Sequence, residues 1–282
     1  MTSVPLQEAG ADLSVVRSSR LPDVLVIGAP RSGTTTMTRW LRTHPDIALS
    51  HRKELEFFDV HYDRGLAWYH DQLPEHPGDR VVMEATPNYL SDLLAADRIA
   101  ETLPQARFVA VLREPVARAW SQYWFFVQLG LERRSWERAL ADEVDGDRCG
   151  YLWRGRYGAQ LKRWEGLVGR DRLHVELFDD LAGDPDGAVA RVCRFAGVPV
   201  IPAPGHTSLN PTSRPRSRSL QRLLQHPHAG RLRTKLYAWN AKGRPVPPLE
   251  NAERRRLHPH FAEDLAELQS WLGRELPAAW WP

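Results

Sequence analysis

Val24-Leu25-Val26-Ile27-Gly28-Ala29-Pro30-Arg31-Ser32-Gly33-Thr34-Thr35-Thr36 is the stretch that decides the fold. Four aliphatic residues in a row read as a buried strand. Gly28 and Gly33 then interrupt it, and Thr34, Thr35, Met37, Trp40 and Leu41 continue as a helix that stops near His44-Pro45. A strand, a glycine loop and a helix in that order gather free backbone N–H groups and a positive helix end at one point. Such a point is an anion site, most naturally for phosphate. The same residues also allow a purely structural strand-turn-helix with a chance glycine spacing.

The loop departs from the nucleotide-binding pattern Gly-x-x-x-x-Gly-Lys-Ser/Thr. Thr34 stands where the lysine belongs, and the basic side chain lies inside the loop at Arg31. No hydrophobic strand ends in an Asp that would hold Mg²⁺ as kinases and ATPases require. Arg80–Glu84 ends in Glu, and Phe108–Leu112 is followed by Arg113. These residues suit a phosphate-bearing donor without a metal.

With 282 residues the chain can bury one large core or two small ones. The net charge is only +3, so the basic balance is by itself no argument for nucleic acid and no nucleic-acid partner is expected; the basic residues are nearly all arginine. Two cysteines, Cys149 and Cys193, make no disulfide framework and suit a reduced cytosol. No apolar run precedes Leu21, so no signal peptide is expected, and no stretch approaches a membrane span. A cytoplasmic protein is the expectation.

Residues 1–20 read as a flexible tail and 21–282 as a single domain. Strands are expected at Asp23–Ile27, Val81–Glu84, Phe108–Leu112 and Leu173–Leu177. Helices follow at Gly65–Leu73, Asp92–Leu103, Pro115–Val127, Ser135–Val144, Arg156–Leu167, Asp186–Ala196 and Asn251–Leu272. The alternation predicts an α/β fold, a central parallel sheet flanked by helices. Gly197–Ser217 carries five prolines and reads as a long loop, either a lid or a plain surface excursion. The Trp271, Trp280, Trp281 end reads as a closing flap.

Ligands of such sheets sit at the carboxyl ends of strands. Besides the Arg31 loop, Arg113 falls there, with Arg118 and Ser121 on one face of the following helix as a second phosphate clamp. Arg113 could equally form a strand-end ion pair with Glu114. The third group is His51-Arg52-Lys53-Glu54-Leu55-Glu56-Phe57-Phe58-Asp59, where carboxylates lie beside an apolar wall and basic residues. Such opposing pressures suit a general base, although a solvated surface role fits a lone Glu as well. Tyr62, Trp68, Tyr89 and Trp124 could line an acceptor groove or belong to the core. The histidines between His44 and His76 match no metal-ligand spacing.

Together these motifs resemble the sulfotransferases that use 3′-phosphoadenosine 5′-phosphosulfate (PAPS). Gly28–Thr35 looks like their 5′-phosphosulfate loop and Leu112–Tyr123 like their 3′-phosphate motif. Lys53–Asp59, with Tyr62, Gly65–Tyr69 and Pro74, is similar to the heparan sulfate/carbohydrate branch and its soluble bacterial relatives. Glu84–Tyr89, Asp179–Pro185 and Lys242-Gly243-Arg244, akin to a late cofactor loop, complete the order. The resemblance implies a P-loop NTPase-like sulfotransferase fold. It also implies PAPS as donor, 3′-phosphoadenosine 5′-phosphate (PAP) as product, and no metal. Arg31, Ser32, Gly33, Thr34, Thr35 and Thr36 would bind the phosphosulfate, Arg113 and Ser121 the 3′-phosphate, and Lys242, Gly243 and Arg244 would close over the nucleotide. Glu54 falls at the catalytic base, with Glu56 as the alternative, and Arg31 would stabilise the departing phosphate. Glu56 and Ala85 stand where the branch often has His or Gln and Lys, at positions that face the acceptor in relatives. The resemblance therefore implies a small-molecule or glycan acceptor: a hydroxyl, less readily an amine, of a sugar, lipid or natural product.

Two other classes stay open. A P-loop kinase or other nucleotide-binding protein would reveal itself by Mg²⁺ dependence. A nucleic-acid module using Arg214, Arg216, Arg218 and Arg254-Arg255-Arg256 would bind with a steep salt slope.

Overall fold

The computed structural model describes residues 21–75, 78, 80–143, 150–203, 213–224, 231–241 and 243–282. β1 (Val24–Gly28) runs through the glycine loop into α1 (Thr34–Leu41), then β2 (Ile47–Leu49), α2 (Gly65–His70), β3 (Val81–Ala85), α3 (Leu93–Thr102) and β4 (Arg107–Leu112). Next come α4 (Pro115–Leu129), α5 (Trp136–Ala141), α6 (Tyr157–Val168), β5 (Leu173–Leu177), α7 (Phe178–Gly183) and α8 (Pro185–Ala196). The C-terminal part holds β6 (Ser213–Arg214), α9 (Arg218–Leu223), α10 (Arg231–Ala241), β7 (Arg244–Pro245), α11 (Asn251–Leu257) and α12 (Ala262–Leu272).

Five strands form one sheet in the order β2-β3-β1-β4-β5, all parallel. This is the expected α/β architecture. Continuous apolar runs suit a sheet covered on both faces. In β1, Leu25 and Ile27 enter one core while Val24 and Val26 enter the other. In β4, Phe108, Ala110 and Leu112 face the first core, and Val109 and Val111 the second. The chain lays β2 and β3 on one side of β1, then crosses to β4 and β5 on the other. That reversal opens a crevice at the carboxyl ends of β1, β3 and β4, where ligands of doubly wound sheets bind.

Both glycines of the first loop are sterically required. A Cβ on Gly28 would lie 2.4 Å from the Cβ of Leu90, and Gly33, at φ 95°, abuts the Phe178 ring. Arg31, between them, also has a left-handed backbone, at φ 68°. The loop thus turns sharply enough to present its side chain and amides at the crevice.

Several boundaries differ from the sequence expectation. β2 is a three-residue strand just after His44-Pro45, too short to announce itself by pattern. The expected last helix is two, because Pro259 sits in a 3₁₀ turn, His258–His260, that separates α11 from α12. β6, α9, α10 and β7 arise where sequence periodicity gave no element; α10 alternates cations with apolar residues and has little amphipathic contrast. The Pro-rich loop is described at 197–203 and from 213, where it ends in β6. Its middle, the 1–20 tail, Val144, Cys149, His76 and Lys242 lie outside the described residues. At the C-terminus Trp280 is fully buried and donates to Asp179 over 3.0 Å, whereas Trp281 is 37% exposed. Among the described residues no helix is long and apolar enough to cross a membrane, and no three His, Cys, Asp or Glu residues group to hold a metal ion.

Candidate functional site

A cavity of about 980 Å³ lies over the carboxyl ends of β1, β3 and β4. Arg31, Gly33, Thr34, Thr35 and Thr36 line it from the loop and the start of α1, and Arg113 and Ser121 from the end of β4 and from α4. Glu54 and Glu56 line it from the segment after β2. The residues singled out around Arg31, Arg113 and Glu54 therefore converge from three separate stretches of chain.

The basic end is built tightly. Arg31 Nε donates to Ser121 Oγ at 3.3 Å, and Arg113 Nη1 donates to the Arg31 carbonyl at 3.4 Å. Each guanidinium stacks on a ring, Arg31 on Phe125 at 4.4 Å and Arg113 on Phe178 at 4.8 Å. Burial, and then the charge of Arg113, lower the Arg31 pKa to about 10, while Glu54 pulls it up. Burial also lowers Arg113, with Arg254 adding to the drop. Cations pressed together out of water call for an anion. Ser32 is fully buried beneath the loop, its N–H donating to Ala29 O over 3.3 Å, and does not line the cavity.

Two sequence expectations change here. Arg118 is no phosphate clamp: it is fully buried, and its guanidinium donates to the Gly150 and Tyr151 carbonyls and to Gln122. It holds the α4 surface to the segment that precedes α6. Arg113 is not tied up by Glu114. That carboxylate caps α4, accepting from Val116 N and Ala117 N at 2.8 Å each, and pairs with Arg254. Arg256 pairs with Glu253, so two of the three consecutive arginines on α11 have carboxylate partners.

Acidic side chains gather at the other end. Glu54, 51% exposed at its side chain, pairs with Lys53. Glu54 and Glu56 both adopt left-handed backbone, at φ 61° and 53°, a conformation uncommon outside glycine. Asp59 lines the cavity close to Glu56; burial, then Glu56, push its pKa up to about 6. Behind it Glu84 is wholly buried at the end of β3, and burial drives its pKa to about 8 against the opposing hydrogen bond from Thr86.

None of the four aromatic residues considered for the acceptor groove lines the cavity. Tyr89 and Trp124 are core residues, and Tyr62 and Trp68 pack against the core. The aromatic lining is Trp120, Phe125, Phe126, Trp153 and Phe178. Helical spacing from Ser121 would have located Phe125; nothing in the sequence marks Trp153 or Phe178. The late loop was expected at Lys242-Gly243-Arg244, but the residues that line the cavity come after it, at Val246, Pro247, Leu249 and Arg254. Gly243 instead packs on backbone: a Cβ there would lie 2.4 Å from Arg214 O, so the β6–β7 ribbon requires glycine. Arg244 pairs with Arg214 in that ribbon and does not line the cavity.

Comparison with known proteins bears on this geometry. The sulfotransferase domain family model matches residues 21–240. The chain is 31% identical over 247 residues to mouse heparan sulfate glucosamine 3-O-sulfotransferase 6, covering 86% of this chain and 69% of that protein. It is 30% identical over 199 residues to human heparan sulfate glucosamine 3-O-sulfotransferase 3B1, covering 69% of this chain and 51% of that one. It thus spans half to about two thirds of the length of these relatives. A crystal structure of a sulfotransferase from Alicyclobacillus acidocaldarius superposes with a TM-score of 0.70 at 27% identity, covering 93% of this chain and 99% of that chain. The chain belongs to the sulfotransferase domain family, a family of transferases.

Proposed function

We propose that this member of the sulfotransferase family transfers a sulfuryl group from PAPS to an acceptor hydroxyl, less readily an amine, of a sugar, lipid or natural product. The observation that supports it most is the buried pair Arg31 and Arg113 at the end of the parallel sheet, beside the first turn of α1. In this reading the 5′-phosphosulfate lies on Arg31 and Gly33–Thr36, over the buried Ser32. The 3′-phosphate lies on Arg113 and Ser121. Val246, Pro247, Leu249 and Arg254 wall the cavity beyond the β6–β7 ribbon, and in this reading they, rather than Gly243 and Arg244, flank the nucleotide.

The acceptor oxygen attacks sulfur in line. One S–O bond forms as the S–O bond to the phosphate breaks, and PAP departs. Glu54 takes the acceptor proton, a contribution of roughly 10²–10⁴ in rate. Charge grows on the departing phosphate oxygen, which Arg31 and the loop N–H groups meet; losing one such donor costs roughly 10²–10³. Glu54 is favoured over Glu56 because its charge acts directly on Arg31.

Calorimetric titration without metal tests the donor. PAP is expected to bind tightly and ADP weakly, and Arg113→Ala to abolish the difference. Equal binding of the two, or binding only with Mg²⁺, would favour a P-loop kinase instead. Glu54→Gln is expected to lose turnover and keep PAP affinity; full activity in that variant would move the base to Glu56 or elsewhere.

A further inference from the structure

The segment that carries Glu54 has local hydrogen bonds at its two ends, Ser50 Oγ donating to Arg52 O and Val60 N to Glu56 O, but the amides of Glu54, Glu56, Phe57 and Phe58 are held from outside it. It leans on the chain that leaves β3. Glu54 N donates to Ala85 O at 2.8 Å. Glu56 N donates to Thr86 Oγ1 at 3.3 Å. Phe57 N and Phe58 N both donate to the Tyr89 hydroxyl, at 3.0 and 3.4 Å. The Thr86 hydroxyl in turn donates to Glu84 Oε1 at 2.5 Å. Glu84, Thr86 and Tyr89 are each fully buried.

Left-handed backbone at a non-glycine residue persists only where surroundings over-determine it. Here Glu54 and Glu56 both adopt it, with the short stretch between them pinned on each side. A hydroxyl has one proton to give. By giving it to Glu84, Thr86 turns its lone pairs toward the Glu56 amide. Glu84 thereby orients a hydrogen bond it does not itself make.

We propose that Glu84 and Thr86 are positioning residues. Through the Thr86 hydroxyl they fix the backbone of the Glu54–Glu56 turn, and so aim the Glu54 carboxylate into the cavity. Neither residue lines the cavity, so neither is catalytic. The inference rests on the reading of Glu54 as base, while its structural half, the fixing of the turn, stands on the hydrogen bonds alone.

The test separates a hydroxyl's role from a packing role. Thr86→Val keeps the volume and removes the hydroxyl; Thr86→Ser keeps the hydroxyl and removes the methyl. Three quantities are read on the full chain: PAP affinity by calorimetry, amide hydrogen exchange at residues 54–58, and PAP release from PAPS with water as the acceptor. Thr86→Val is expected to speed exchange at those amides and slow PAP release roughly 10–100-fold, the scale of a misplaced catalytic group. PAP affinity should stay within about twofold of the parent, because the donor loop is untouched. Thr86→Ser should behave like the parent. The reverse pattern, an active Val variant and a crippled Ser variant, would overturn the proposal. Should Thr86→Val not fold, Thr86→Ala decides, since it too removes the hydroxyl: unchanged exchange at the Glu56 amide together with unchanged PAP release would overturn the proposal. Glu54→Gln is run alongside. If it keeps full activity while Thr86→Val loosens the turn, the base assignment fails and the anchoring of the turn survives.

Discussion

At the residue scale the site turns on buried charge. Glu84 sits fully buried near the end of a sheet strand, and burial lifts its pKa from 4.5 to about 8. The fold therefore keeps a proton on Glu84 across a range in which the unfolded chain has lost it. Stability must then fall as pH rises through that window, because the folded state binds more protons. Urea unfolding of the parent and of Glu84→Gln between about pH 5 and pH 8 checks this. The parent is expected to lose stability with rising pH more steeply than the variant, and parallel slopes would mean that the carboxyl is ionised in the fold. Residue identity made Arg31, Arg113 and Glu54 legible in the sequence, because each follows a strand or loop at a position where chemistry is expected. Arg118 misled for the same reason: spacing put it beside Ser121, but spacing says nothing of the carbonyls of Gly150 and Tyr151 that claim its guanidinium. Glu84 and Thr86 were legible as part of the Glu84–Tyr89 motif, but not their link to the Glu54 turn, because the Glu56 amide that Thr86 accepts from lies thirty positions away.

At the scale of elements, α4 illustrates how one residue can serve two bodies. Glu114 caps its first turn and binds Arg254 of α11. Glu114→Ala is expected to cost about 1–2 kcal/mol, the usual cost of losing a helix cap. It should also weaken PAP binding, because Arg113 and the first turn of α4 frame the basic end; thermal unfolding and calorimetry read the two effects. A variant as stable as the parent would deny the cap its role. The elements that were legible are those with strong internal pattern: β1, β3, β4, β5 and the long amphipathic helices. Of those that were not, the strands β2, β6 and β7 are two or three residues long and owe their existence to pairing partners, while the helices α9 and α10 lack a clear apolar stripe in sequence. A three-residue strand has no period to detect; β2 forms because β3 offers it an edge.

For the whole molecule, the sheet sets charges of opposite sign along one cavity. Arg31, Arg113 and Arg254 cluster where the glycine loop and α4 meet, and Glu54, Glu56, Asp59 and Asp92 line the other part, where they outnumber the cations Lys53 and Arg154. The first group suits a doubly phosphorylated donor and the second repels an acceptor that is itself highly anionic. In a transfer assay with labelled donor, neutral polyhydroxyl or amine-bearing acceptors are expected to outpace polysulfated ones, and added salt should narrow the gap. A preference for the polysulfated acceptor would contradict this charge layout. The contact between Arg31 Nε and Ser121 Oγ, together with that between Arg113 and the Arg31 carbonyl, joins the two halves of the basic end through a shared wall. Under the proposed placement of the donor, recognition there would work as a conjunction: a molecule bearing only one of the two phosphates would leave slack in the grip on both. Discrimination between donors would then be a property of the joint, so that retuning either half is expected to disturb the other.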